Sequence, residues 1–522
     1  MLDEYAATIA LTIVVGGALL FAATLRTREA AHVAKTLGGC RPRKIHSLGT
    51  RIPFIGDFLE ITRQTHRKHD WMVEQCLRFH GEPWQAKIPG MPAFVMLTSP
   101  EAVEEVTTTQ FDHFAKGPFQ ISVLNDLLGN GVFASDGEQW YHQRKTAAKF
   151  FSAKSLRECM ANTMQRNMER VHSVLSRARP DDELVDLSHL FHQFTLQTFT
   201  EGGLGVEMEV IGSKQMHPFE DAVDTAMPII SRRGRLPPFV WKLERWLSVG
   251  QEKQLADSMR VARRWLSSMI EASIRAMERQ HGNQQHRNDN DNVKSVVQLF
   301  VDHTREDMAG LQATNLVDFL LNFVIAARDT SALTLCWFFF ALRQNPAVEK
   351  RIRREMAEKI ALNTTYLTAD DAKKLVYLEA TMKETLRLYP AGPNTVKYVV
   401  RDTVICDDIF LREGQMISLS AYVLARNPRV WGHDAAEFKP ERWIGASGEL
   451  TLAPASEFFT FHAGPRSCLG MSLAMLALRV VTANLLHRYE IEVDPANDGS
   501  YVNSPALAMM HPLLAKVRPR GV

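Results

Sequence analysis

The stretch FFTFHAGPRSCLGMSLAM, residues 458–475, sets one cysteine behind a glycine-rich turn and ahead of an apolar helical run. A free cysteine most often serves as a small buried hydrophobe. The surroundings of Cys468 suit chemistry instead. Gly464, Pro465 and Gly470 let the backbone approach something closely, and Arg466 fixes a positive charge two residues before the thiol. Leu469 to Leu486 reads as a buried helix with Cys468 at its N-terminus, where the helix dipole and unpaired N–H groups stabilise a thiolate. Such a thiolate is a metal ligand or a nucleophile.

A second candidate lies in LNFVIAARDTSALTLCWFFFAL, a helix apolar nearly all round and therefore buried. Inside it sit an acid and an alcohol, Asp329 and Thr330. Helical spacing puts Phe323, Ala326, Ala327, Thr330 and Thr334 on one face, with the small alanines opening a groove beside the Thr330 hydroxyl. The structural alternative is a Thr330 back-bonded to a carbonyl one turn earlier and an Asp329 paired with Arg328 or a more distant cation.

Three charge patterns complete the set. Glu384 and Arg387 in KETLRLYP share one side of an apolar helix, and Arg442 in FKPERW is a third partner; together they read as a scaffold. In DGEQWYHQRKTAAKF, Asp136 is the expected N-cap, while Trp140 and Arg144, four apart, offer an indole N–H and a guanidinium to a carboxylate or phosphate. Lys145 and Lys149 lie on a neighbouring, solvated face. Taken alone, both pairs read as ordinary surface charge.

The elements that must position these groups are mostly helical. Period-3.6 patterns run over 138–178, 253–280, 312–342, 345–362 and 371–388, and β-like stretches over 84–89, 93–97, 396–406 and 415–418. The fold class is mainly α with small β-sheets. Polar, low-complexity HGNQQHRNDNDN, 281–292, reads as a mobile surface loop.

The 522 residues carry a net charge of +2 and no basic block interleaved with aromatics, which argues against nucleic-acid binding. None of the six cysteines forms a CxxC pair, so a zinc site or disulfide framework is not expected and a reducing compartment fits. Ala6 to Leu25 carries no charge and is long enough to cross ~30 Å of hydrocarbon. Asp3 and Glu4 stand where a signal peptide would be basic, so residues 1–25 read as a retained transmembrane anchor. Residues 26–50 form a basic tether whose cations place the body, 51–522, on the cytosolic side.

Jointly, these pieces resemble the cytochrome P-450 superfamily of haem-thiolate monooxygenases, from about residue 50 to the C-terminus. The motif F-x-x-F-x-x-G-x-R-x-C-x-G is met by Phe458, Phe461, Gly464, Arg466, Cys468 and Gly470. The oxygen-activation motif (A/G)-G-x-(D/E)-T-(T/S) is met by Ala326, Asp329, Thr330 and Ser331, with Ala327 replacing the usual glycine. Glu384 and Arg387 match E-x-x-R, Arg442 matches P-E-R-F/W, and Trp140 with Arg144 matches W-x-x-x-R.

The resemblance implies haem b between a long central helix and the C-terminal cysteine loop, with Cys468 as the iron ligand. It implies Thr330 and Asp329 as the proton-handling pair, and Trp140, Arg144, Lys397 and Arg466 as propionate partners. Phe461, Gly464 and Gly470 would shape the haem-binding loop, with His462 acting only through a neighbour. Substrate walls would be Phe323, Ala326, Ala327, Pro393 and Asn394. FDHFAKGPF, DLLGNGVFASDGEQWYHQRKTAAKFF and the A-R-D-T-S form of the oxygen motif are most similar to the fatty-acid ω-hydroxylases of plants and fungi.

A membrane-anchored hydroxylase of the endoplasmic reticulum, catalytic domain cytosolic, is the expectation. O2 would be its oxidant and a separate NADPH-dependent reductase its electron donor, since no flavin or dinucleotide fingerprint is evident. Lys145 and Lys149 would help dock that reductase. The alternatives are a sterol or xenobiotic hydroxylase, a peroxide isomerase or dehydratase, and a non-catalytic haem sensor.

Overall fold

The computed structural model describes residues 42–49, 55–152, 154–177, 184–282, 313–361 and 364–520. The expected anchor, most of the tether, and the polar loop beyond Gly282 lie outside the described residues.

The protein is mainly helical with small sheets, as its composition of long apolar periodic runs requires. At its centre runs the helix Ala313–Gln344. It packs across Leu187–Leu204 and against the C-terminal helix Met471–Arg488. Phe338 and Ala332 have no exposed surface, and Trp337 donates its indole N–H to Leu507 O at 2.7 Å while stacking on Tyr389 at 4.5 Å. Within this element Leu316–Gln344 is long and apolar enough to cross a membrane, but 78% of its most apolar window is buried inside the protein, so it is the core helix.

A six-stranded mixed sheet closes one side, in the order His46–Ser47, Trp84–Ala86, Phe94–Leu97, Met416–Leu419, Thr395–Val399, Phe114–Ala115. Thr395–Val399 pairs antiparallel with Met416–Leu419 in the register Lys397 to Ile417. Alternation along this strand sends Val396 and Lys397 to opposite faces.

Several expected boundaries shift for identifiable reasons. The run 138–178 is two helices, Gly137–Ser152 and Lys154–Arg177. The run 371–388 is also two, Ala369–Lys373 and Val376–Leu388. Thr368 and Asp371 form a capping box at the first. The carboxylate of Glu355, from another helix, accepts from Tyr377 N and Leu378 N at the start of the second. The expected strand 396–406 divides into Thr395–Val399 and Thr403–Ile405, the second pairing antiparallel with Ile409–Leu411 in a separate two-stranded sheet.

Candidate active site

Cys468 lies on the turn before the Met471–Arg488 helix, two residues ahead of its N-cap, Gly470. Its own N–H donates to Phe461 O at 2.8 Å, which ties the turn to the Phe459–Phe461 segment. Enclosure by protein raises the thiol; opposing this, Sγ accepts from the backbone N–H groups of Gly470 and Met471 and feels the Arg144 charge. Among the described cysteines Cys468 is the exposed one; Cys76 and Cys336 are buried and Cys159 and Cys406 intermediate. An accessible sulfur with amide donors and a cation beside it suits a thiolate ligand.

The two loop glycines have different reasons. Gly464 has φ +64°, and a Cβ there would collide with the carbonyl oxygen of Thr107, so the glycine is demanded by this backbone crossing. At Gly470 a Cβ would sit 3.9 Å from the Cys468 sulfur and 3.8 Å from Phe151, ordinary contacts. The space that side chain would take is beside the thiolate.

Across the core, the long helix is open along one strip. Between Phe319 and Leu342 only Phe323, Ala326, Ala327 and Thr330 are not buried. This is the i, i+3, i+4, i+7 face expected from spacing, except that Thr334 is buried and donates its hydroxyl to Thr330 O at 2.7 Å. The Thr330 hydroxyl, exposed, donates to Ala326 O at 2.6 Å, the back-bonded arrangement. Phe323, on the same strip, is half-buried. It packs on Phe319 at 4.7 Å and Phe151 at 5.3 Å, in an apolar cluster that Leu469 also joins.

Asp329 turns to the opposite side of the helix. It pairs with Arg328 at 2.8 Å, and Arg328 also holds Asp224 at 2.8 Å and Glu220 at 3.4 Å. Burial raises the Asp329 carboxyl to about 6 against the opposing pull of Arg328. Asp329 borders a cavity of about 260 Å3 that Ser188, His192 and Asp224 also line. Burial holds His192 down to about 4, so it is neutral there.

A cationic cluster lies beside the cysteine loop. Arg466 pairs with Asp136 at 2.6 Å, covers the Trp140 ring at 4.3 Å, and leaves its buried Nε without a partner. Lys397 is 1% exposed and has no hydrogen-bond or ion-pair partner among the described residues; desolvation, then Lys116 and Arg466, push its ammonium far down. Burial and Arg466 lower Lys116 to about 8. His462 is pushed down to about 3 by burial and by Lys397, and is neutral. Of these three cations Arg466 alone pairs with Asp136, while Lys116 and Lys397 feel its charge only at a distance. The donor set fits a group bearing two carboxylates.

Arg144 borders this cluster, and its charge adds to burial in lowering Arg466. Its Nη2 donates to Ser467 O, and its charge acts on Cys468. Trp140 thus supplies a platform for Arg466, and Arg144 braces the cysteine turn. The Asp136 carboxylate does not cap its own helix. It accepts from Lys116 N and Gly117 N, both at 2.9 Å, and holds Arg466.

The scaffold is as expected from the sequence. Arg387 Nε and Nη2 donate to Glu384 at 2.8 Å, Arg442 Nε at 3.0 Å, Trp443 Nε1 at 2.9 Å and Lys439 N at 2.8 Å, while Arg387 also grips Ala435 O and Glu437 O. All of these groups lie in or beside the turns that lead to Phe458–Cys468. Pro393 and Asn394 line a separate cavity of about 230 Å3, under the sheet. Lys145 and Lys149 are exposed on the same helix as Arg144.

Sequence reasoning missed Lys116, Asp136 as the Arg466 anchor, and the Glu220–Asp224 pair. Each is separated in the chain from the group it serves, so no local spacing announces it.

An accessible thiol on a helix-capping turn, an open strip bearing an alcohol, and a two-carboxylate cradle define a haem-thiolate site. The cytochrome P450 family model matches residues 47–519, and the chain belongs to that family. It is similar to cytochrome P450 704B1 of Arabidopsis thaliana, 31% identical over 499 residues, 90% of this chain and 94% of that protein. Cytochrome P450 94A1 of Vicia sativa is 26% identical over 457 residues, 86% of this chain and 85% of the other. Noroxomaritidine synthase of a Narcissus is 29% identical over 475 residues, 89% and 88% respectively. Identities of this size carry the fold and the haem-thiolate chemistry, while substrate choice belongs to the cavity.

Proposed function

We propose that this protein is a membrane-anchored fatty-acid hydroxylase that acts at the terminal carbon, with Cys468 as the iron ligand. Haem b held there supplies reductive activation of O2 and transfer of one oxygen atom into a C–H bond. Arg466, Lys397 and Lys116 would hold its two carboxylates, with Asp136 and Trp140 fixing Arg466. The amide donors of Gly470 and Met471 temper the sulfur charge.

The observation that carries the oxygenase reading is the pairing of an exposed alcohol with a buried acid on one helix. Thr330 keeps its hydroxyl on the open strip, where its lone pairs can accept a proton-bearing partner while its hydrogen bonds Ala326 O. One residue earlier, Asp329 faces the second cavity and titrates near neutrality. By swinging between Arg328 and the Thr330 side it would pass protons from that cavity to the strip. A peroxide isomerase has no use for such a relay.

Three features support the rest of the reading. The cavity beneath the sheet is walled largely by apolar groups, including Phe94, Phe119, Val123 and Ile230, and among the described residues by no carboxylate, which suits an anionic lipid. The helix Pro238–Leu247 presents Phe239, Leu243, Trp246 and Leu247 on one exposed face, with Phe239 71% and Trp246 79% accessible, as a membrane-lying helix would. Lys145 and Lys149 are exposed on the helix that braces Ser467, near the iron ligand, where an acidic electron donor would dock.

Purified enzyme with an NADPH-dependent reductase, offered fatty acids, alkanes and sterols, tests the proposal through the position of the new hydroxyl. NADPH-dependent ω-hydroxy acids are expected. Turnover confined to sterols, or conversion of a peroxide without NADPH, would overturn it.

A further inference from the structure

The cavity of about 230 Å3 under the sheet has an unbalanced charge. Lys68 and Arg235 line it, and among the described residues no Asp or Glu does. Lys68 opens the helix Lys68–Arg78, and its Nζ has no hydrogen-bond or ion-pair partner among the described residues. Arg235 follows the helix Pro218–Arg233; it donates from Nη1 to Thr65 Oγ1 at 2.9 Å and from Nε to Ser231 O at 3.3 Å. Those neutral acceptors fix the guanidinium without cancelling its charge.

The Lys68 side chain keeps some open surface toward the cavity yet has protein on all sides. That enclosure, then Arg235, pushes its ammonium down to about 8. Arg235 is lowered too, by burial and by Arg232. The other charges nearby are already engaged. Arg232 pairs with Glu244 at 2.6 Å, Asp70 accepts from Tyr422 and Tyr501, Arg67 pairs with Glu74, and burial holds His69 neutral at about 3.

A second observation concerns hydrogen bonding. Four residues that line this cavity carry buried polar atoms with no partner: His69 Nδ1, Trp71 Nε1, Trp84 Nε1 and Asn503 Nδ2. Native interiors rarely leave such groups unpaired, so the wall keeps polar groups without protein partners close to the two cations. The rest of the wall is mostly apolar.

We propose that Lys68 and Arg235 are the carboxylate anchor of the substrate cavity: Lys68 forms the ion pair and Arg235 completes the grip. The assignment rests on the fatty-acid reading above and adds the residues that recognise the acid. It also orients the chain. Pro393, Asn394 and Val396 line the same cavity, and Val396 precedes Lys397, which points through the other face of its strand into the Arg466 cluster. With the carboxylate at Lys68, the hydrocarbon runs toward the strand that borders the haem cradle. Arg235 is also three residues from Pro238, where the exposed apolar helix begins, so the acid end lies on the side from which lipid arrives.

The test uses the haem-loaded full chain and the Soret shift on binding hexadecanoic acid or its methyl ester. Lys68→Met is expected to weaken the acid about tenfold or more and leave the ester unchanged, with Arg235→Met acting in the same direction. Lys68→Arg should restore the acid. Affinity of the wild type for the acid should fall as pH rises through about 8, where Lys68 loses its charge, whereas Lys68→Arg and the ester stay flat. If the wild type binds and hydroxylates the acid and Lys68→Met does so equally well, or acid and ester weaken together, the anchor is refuted and the fatty-acid reading stands. A wild type that gives no shift and no product with the acid overturns the fatty-acid reading itself.

Discussion

Replacing Lys397 with methionine should separate fold stability from cofactor retention. The side chain is 1% exposed and stands beside Lys116 and Arg466, and the nearby carboxylate of Asp136 is already paired with Arg466. In the haem-free protein its charge is a cost. Substituting well-packed apolar groups for buried charges is worth about 1–4 kcal/mol, so haem-free Lys397→Met should be more stable than wild type by an amount in that range. The pH dependence has a definite sign. The folded-state value of Lys397 lies well below 10.5, so between the two the unfolded chain binds more protons, and stability rises with pH. Lys397→Met should lose that rise. In the haem-loaded protein the balance reverses, because a charge-assisted contact to a carboxylate contributes about 1.5–3 kcal/mol and its loss should speed haem release by about 10- to 150-fold. Urea unfolding of the haem-free form and haem transfer to excess apomyoglobin measure the two arms. A variant that is less stable without haem, or that retains haem as well as wild type, would refute the reasoning.

Further outcomes follow from the same geometry. Glu384→Gln leaves Arg387 and Arg442 facing a neutral amide in a buried setting, and should lower stability by about 3–5 kcal/mol in chemical unfolding; a loss below about 1 kcal/mol would show that the network is not a scaffold. Asp329 is largely protonated below about 6 and ionised above, so product formed per NADPH should decline from pH 6 to 8; Asp329→Asn should be slower by about a hundredfold and lack that slope, and an unchanged slope would remove Asp329 from the proton route. Charge reversal at Lys145 and Lys149 should raise the reductase Michaelis constant more at low salt than at high salt, with unchanged low-salt kinetics counting against docking there.

The parts of this site legible in the sequence are those whose partners lie within a turn or two. The open strip on the long helix follows from i, i+3, i+4, i+7 spacing, and the Glu384–Arg387 pair from i, i+3. The turn before Met471 follows from its glycines and the apolar run beyond. The helix Leu187–Leu204 shows the opposite case. It buries 13 of its 18 residues, polar ones included, so no amphipathic pattern marks it. Gln197 is tolerated there because its amide oxygen accepts from Val210 N and Ile211 N, a bond invisible to any local window. Gly464 likewise answers to Thr107, and Lys68 meets Arg235 only because two distant helix ends face one cavity. Asp136 is the sharpest instance: its position before a helix suggests a cap, yet its carboxylate serves Arg466 and another segment's amides.

Oxygen activation at this site requires Cys468 to bind iron as a thiolate. The most direct test is the carbon monoxide difference spectrum of the reduced, haem-loaded protein, wild type beside Cys468→Ala. A strongly red-shifted Soret band in the wild type, absent from the variant, is the predicted result. A wild type that holds haem but lacks that band, or a variant that keeps it, would contradict the assignment.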